Sequence, residues 1–337
     1  MKNIFLSMLL IASFNGYLIA QKEPNELSEK PGKWSYSHKI NGEIEYYKLT
    51  ADELSKLKQK IETVVETLHQ NPILKNPVGF EPSVNSKIWL GYSQAFPIPS
   101  LADEMVKSRI IIQFCPYVLD ESGNIKKDCM EVSSCEVSLN CAKFTTESYL
   151  KYPPDGYHDD VFKAAQNLEK IFVKPWVVKE LAEGITAYGS NIIVIANTKR
   201  PYWIPVTVGE LFDLLLNYYK LTSKYDKFMV SVLEAMTEEK AVYSPEELNL
   251  PAYVTSSNIS LITIKKSNSP YMSPYMRFNP DYFDKSQPRT NIQLITLYTL
   301  TEAYTEKCKY KDVAHQRHYE FVKSLDVNAL QVLIEVK

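Results

Sequence analysis

The sequence predicts an α+β fold, with antiparallel or mixed sheets and helices packed on one face. Three observations carry this. Thr50…Glu53 and Thr207…Glu210 are capping boxes, and each opens a run of apolar residues at helical spacing. Other segments alternate or run unbroken in Ile, Val and Tyr between turn signals, as strands do. The 337 residues include 23 tyrosines but only 10 glycines. Flat rings suit half-buried sheet faces, and few glycines leave little room for phosphate-cradling loops. Accordingly, neither G-x-G-x-x-G nor G-x-x-x-x-G-K-[ST] occurs.

The chain opens with Lys2, an apolar run over residues 4–14, the break Asn15-Gly16, then Leu18-Ile19-Ala20 and the polar Gln21-Lys22-Glu23. That order reads as a signal peptide cleaved near Ala20. It places the mature protein in the periplasm or outside the cell. The apolar run is shorter than the ~20 residues a membrane span needs, so no membrane span is expected. Net charge is −2, which gives no footprint for nucleic acid. Residues 21–33 read as a flexible leader. An N-terminal α+β domain is expected over 34–154 and a C-terminal α+β domain over 155–337, split at Tyr152-Pro153-Pro154-Asp155-Gly156.

Taken in order, Trp34 to Tyr46 alternates around Asn41-Gly42, a hairpin signal. A helix follows Thr50 and ends before Pro72. Residues 77–82 read as a connector, and 88–96 and 109–118 as strands. A helical stripe starts at Asp159. Pro175 reads as the first residue of a helix running to about Ala187. Residues 191–196 form an unbroken apolar run, a buried strand. The Thr207 cap starts a long helix to about Glu239. Residues 259–264 and 292–300 read as strands, 313–325 as a helix and 330–336 as a last strand. From Asn191 onward this is the β-α-β-β-α-β order of ferredoxin-like domains.

Four of the five cysteines fall close together. In an oxidising compartment they predict the disulfides Cys115–Cys129, about the Glu121-Ser122-Gly123-Asn124 turn, and Cys135–Cys141, about Ser138. The gaps are too long for zinc-knuckle pairs, so no metal is expected. Cys308 is left as a buried free thiol.

Candidate chemistry is sparse. Gly91-Tyr92-Ser93-Gln94-Ala95 approaches a nucleophile elbow, but Pro97 and Pro99 deny it the following helix. His315 and His318 share a helix face without a third metal ligand, and read as exposed. Asp155, His158, Asp159 and Asp160 form an acidic cluster, in which Asp159 and Asp160 suit a helix first turn. Tyr271, Tyr275 and Tyr282 lie in a proline-broken segment and form the candidate aromatic binding surface for a glycan or protein partner. No cofactor is implied. The expectation is an exported binding or structural protein without catalysis. The runner-up is an exported hydrolase acting on glycans or peptides through carboxylates.

Overall fold

The computed structural model describes residues 26–37, 39–42, 44–90, 104–141, 159–196, 200–254, 263–264 and 273–335. The proposed signal peptide, His38, the Ser93 motif, Asp155, His158 and Tyr271 lie outside them.

Strands β1 (Ser35–Tyr36) and β2 (Asn41–Gly42) lead to helix α1 (Ala51–His69), the short helix α2 (Pro72–Lys75) and the long strands β3 (Phe80–Ile88) and β4 (Ser108–Leu119). Strands β5 (Ile125–Lys127) and β6 (Ser134–Leu139) follow, then helix α3 (Asp159–Glu169). Four strands come next: β7 (Ile171–Val173), β8 (Val177–Ala182), β9 (Ile185–Tyr188) and β10 (Ile192–Ala196). Strand β11 (Trp203–Pro205) precedes helices α4 (Val208–Thr222), α5 (Phe228–Ala241) and α6 (Pro245–Leu248). Strands β12 (Ala252–Val254), β13 (Thr263–Ile264), β14 (Ser273–Phe278) and β15 (Leu294–Tyr298) lead to helices α7 (Val313–Lys323) and α8 (Val327–Gln331).

The main sheet is ten-stranded, in the order β1-β3-β4-β6-β15-β10-β9-β8, with β2 beside β3 and β5 beside β4. Among the described strands only β1 and β2 pair in parallel, each with β3. A five-stranded sheet is built from β11, β14, β12 and β13, with β7 also beside β14. Strand alternation explains how these stack. Ile110, Ile112, Phe114, Ile193, Ile195, Ile295 and Leu297 bury one face of the main sheet with residues of α1, α7 and α8. Ile192, Val194 and Leu294 point the other way, onto Phe172, Trp203, Met276 and Tyr282. The small sheet turns Ile171 and Tyr275 outward onto Val161, Leu168, Leu211 and Phe212 of α3 and α4. The layers are therefore helix, sheet, sheet, helix, and each sheet carries helices on one face. Strand β10 reads as a solid apolar run because both of its faces are covered.

Several local expectations are corrected. Asn41-Gly42 is a strand segment against β3, not a hairpin turn. Gly42 sits at φ +114, and an added Cβ would lie 2.0 Å from the Ile88 carbonyl oxygen. Close backbone approach selects the glycine there. Residues 177–188 form the β8–β9 hairpin rather than a helix, with the turn at Glu183-Gly184. Residues 327–331 form helix α8 rather than a strand, because the Asp326 carboxylate caps the Ala329 N–H. The long helix after Thr207 stops at Thr222 and resumes at Phe228, where Asp226 Oδ1 accepts from the Phe228 N–H. The ferredoxin-like order is therefore not formed: Thr263–Ile264 lies in the small sheet, the expected last strand gives way to helix α8, β10 pairs with β15 antiparallel, and β6 from the N-terminal half sits on the far side of β15. The residues around 154 lie outside the description, and the main sheet draws strands from both sides of them. Part of the expected leader is tied down. The Leu27 N–H donates to the Tyr117 carbonyl at 2.8 Å, and Glu26 accepts from the Val313 N–H at 2.9 Å.

Candidate functional site

Cys115 and Cys129 form a disulfide, with Cα atoms 4.7 Å apart. Strands β4 and β5 pair Tyr117 with Lys127 and Leu119 with Ile125, and the same register carried on lays Cys115 opposite Cys129. The pairing of Cys135 with Cys141 is overturned: both are free thiols. Ser138 is not at a turn. It lies inside β6, between Arg109 of β4 and Thr296 of β15. At about 3.3 Å per residue the strand alone holds Cys135 far beyond the ~7 Å Cα reach of a disulfide. Burial pushes the Cys135 thiol up to about 12 and the Cys141 thiol up to about 11. Both stay protonated and unreactive at neutral pH. Cys308, expected to be buried, is exposed.

His318 is also corrected from an exposed position to a core one. Its ring is stacked on Phe114 at 4.8 Å. Nδ1 is 2.7 Å from Ser133 Oγ and Nε2 is 2.7 Å from Thr299 Oγ1. Both nitrogens are thereby satisfied by hydroxyls, which either donate or accept. Desolvation, helped by His315, lowers its pKa to about 3. His315 instead faces Asp312, with Nδ1 at 2.8 Å from Oδ1. The pair does not converge on a metal, and among the described residues no three His, Cys, Asp or Glu side chains do. Asp160 is exposed at the start of α3, near Lys224 at 3.5 Å. That is the dipole-complementing position rather than a carboxylate pair.

The aromatic surface is not where the sequence suggested. Tyr275 and Tyr282 are buried. Tyr275 packs under α4, and Tyr282 lies between the sheets with its hydroxyl donating to the Gln293 carbonyl at 2.9 Å. They form core, because β14 and the segment after it fill the space between layers.

The structure places an open cleft elsewhere, at the β8 edge of the main sheet. It has a volume of about 370 Å³. Trp176 and the first residues of β8, the β9–β10 turn, and Thr301, Glu302, Thr305 and Glu306 line it. Trp176 is 70% exposed, and its neighbour Val177 is exposed too. The indole lies over the β9–β10 turn. The Gly189 N–H donates to the Trp176 carbonyl at 2.8 Å. A Cβ on Gly189 would stand 2.3–2.5 Å from three ring atoms, so the ring lies against the bare glycine backbone. In the turn, Ser190 and Asn191 both take left-handed backbone, at φ +66 and +61, the conformation that tight hairpin turns between right-twisted strands call for. The Thr301 hydroxyl donates to the Tyr188 carbonyl and the Thr299 N–H to the Asn191 carbonyl, tying the β9–β10 turn to the segment after β15.

Two carboxylates complete the rim. Glu302 accepts a hydrogen bond from the Tyr310 hydroxyl, and Glu306 faces Lys309 at 3.1 Å. Burial and the Glu302 charge together raise the Tyr310 pKa, so this hydroxyl remains a donor. Among the described residues neither the Ser190 hydroxyl nor the Asn191 side-chain amide is bonded to the protein, so the rim offers donors and acceptors beside a flat ring.

Sequence reasoning missed this site, although signals existed. Gly189-Ser190-Asn191 is a turn signal before an apolar strand. Thr301-Glu302 and Thr305-Glu306 repeat a polar pair four residues apart. Comparison with known protein families, with curated proteins and with solved structures found no match for this chain.

Proposed function

We propose that this chain is an exported binding protein that takes its ligand in the Trp176 cleft. One observation carries the reading: an indole lying against a bare glycine and left 70% exposed beside a cleft lined by polar residues. Burying apolar surface releases about 25 cal/mol per Å², so an uncovered tryptophan is a reserve of binding energy. The carboxylates are each held by a protein partner, which suits fixed acceptors better than a proton shuttle. Export is supported by the leader-like first twenty residues and by the Cys115–Cys129 bond, which suits an oxidising compartment. No helix among the described residues is long and apolar enough to cross a membrane.

The test is calorimetric titration of the wild type and Trp176→Ala with sugars, amino acids, polyamines and nucleosides. At least one class is expected to bind the wild type and to lose about tenfold or more without the indole, some 1.4 kcal/mol. Binding indifferent to Trp176, or none, contradicts the reading.

A further inference from the structure

We propose, resting on the reading of the cleft as a ligand site, that the ligand is a glycan, with one pyranose ring stacked on Trp176. The face of an indole is electron-rich and its edge is electron-poor. A pyranose turns a patch of C–H bonds, positive at hydrogen, toward such a face and leaves its hydroxyls around the perimeter. The residues that line the cleft supply both parts. Trp176 offers the platform, and Glu302, Glu306, Ser190 and Asn191 are the acceptors and donors among the other lining residues. Each sugar hydroxyl both donates and accepts, so a rim mixing acceptors with donors can satisfy it.

Two other ligand classes fit less well. A cationic ligand would also stack on the indole, but it needs acceptors alone. Lys309, 3.1 Å from Glu306, already opposes part of the negative charge. An extended peptide would join the sheet at β8, whose outer side pairs with no described strand. That edge is irregular: its pairing with β9 shifts between Val177 and Lys179 and again between Glu180 and Ala182. Such bulges interrupt the even row of backbone groups that an added strand requires.

The experiment titrates the mature protein with chitohexaose, cellohexaose and maltoheptaose, and separately with hexalysine. Each probe is run on the wild type, Trp176→Ala, Trp176→Tyr and Gly189→Ala, with thermal melts confirming that every variant folds. At least one oligosaccharide is expected to bind the wild type, to weaken about tenfold or more in Trp176→Ala, and to recover most of its affinity in Trp176→Tyr, which keeps a flat ring. Gly189→Ala keeps the indole in the protein but displaces it, because the added Cβ would stand 2.3–2.5 Å from three ring atoms, and is expected to weaken binding as well. If hexalysine binds in a Trp176-dependent way and no sugar does, the glycan assignment is overturned while the cleft remains the site. If no probe responds to Trp176, both the assignment and the site are overturned.

Discussion

Tyr275, Tyr282 and Trp203 lie within or between the layers of the fold, whereas Trp176 stands beside β8 at the edge of the main sheet and is 70% exposed. The residue types are alike and the surroundings differ. Between the sheets each ring is covered on both sides: Trp203 meets Phe172, Tyr188 and Tyr202 at centroid distances of 5.2, 4.8 and 4.8 Å. At the edge, the Trp176 ring lies against the Gly189 backbone and is left 70% exposed. An aromatic residue covered all round supports the fold. One left largely uncovered is available to a ligand.

The contrast makes opposite demands on mutants. Tyr282→Ala removes a buried ring and opens a cavity, and is expected to cost about 3–5 kcal/mol. Thermal or urea unfolding measures it, and a loss below about 1 kcal/mol would break the assignment of Tyr282 to the core. Replacing both Cys115 and Cys129 by serine should cost about 3 kcal/mol, as expected for closing a loop of this length. Reduction of the wild type should lower the melting temperature equally.

His318 adds a pH dependence to the covered side. Its folded pKa is about 3, below the ~6.5 of an unfolded histidine. The unfolded chain therefore binds more protons between these values. The stabilisation is complete above about pH 6.5 and is lost as pH falls toward 3, by at most about 1.4 kcal/mol per unit. Denaturation midpoints from pH 7 to pH 4 should show this slope in the wild type and lose it in His318→Gln. An unchanged slope would mean that His318 is not the buried neutral group described. The smallest effect belongs to the edge: Trp176→Ala should change stability by no more than about 0.5 kcal/mol, a value that sharpens the contrast with Tyr282.

Much of the framework was legible in the sequence, and the reasons are physical. Local signals gave correct elements. The Thr50 and Thr207 capping boxes form as read, strand β10 is the buried run expected, and the symmetry of Cys115 and Cys129 about a turn places their bond. Errors arose where tertiary contact decides. The stretch 177–182 has no intrinsic bar to a helix, and only pairing with β9 makes it a strand. Ser138 resembles a turn residue until β4 and β15 pair with β6 on both sides. The site was the least legible part. It joins residues 176, 189–191 and 301–306, which only the hairpin and the sheet edge bring together. Whether a ring ends up covered depends on what tertiary packing lays over it, and no local pattern encodes that.

The most direct measurement is hydroxyl-radical footprinting of the four tryptophans by mass spectrometry, with and without the best-binding oligosaccharide. The account predicts that Trp176 oxidises fastest in the free protein and is protected by the sugar, while Trp203 stays slow in both states. A Trp176 that oxidises as slowly as Trp203, or that gains no protection when the sugar is bound, would contradict it.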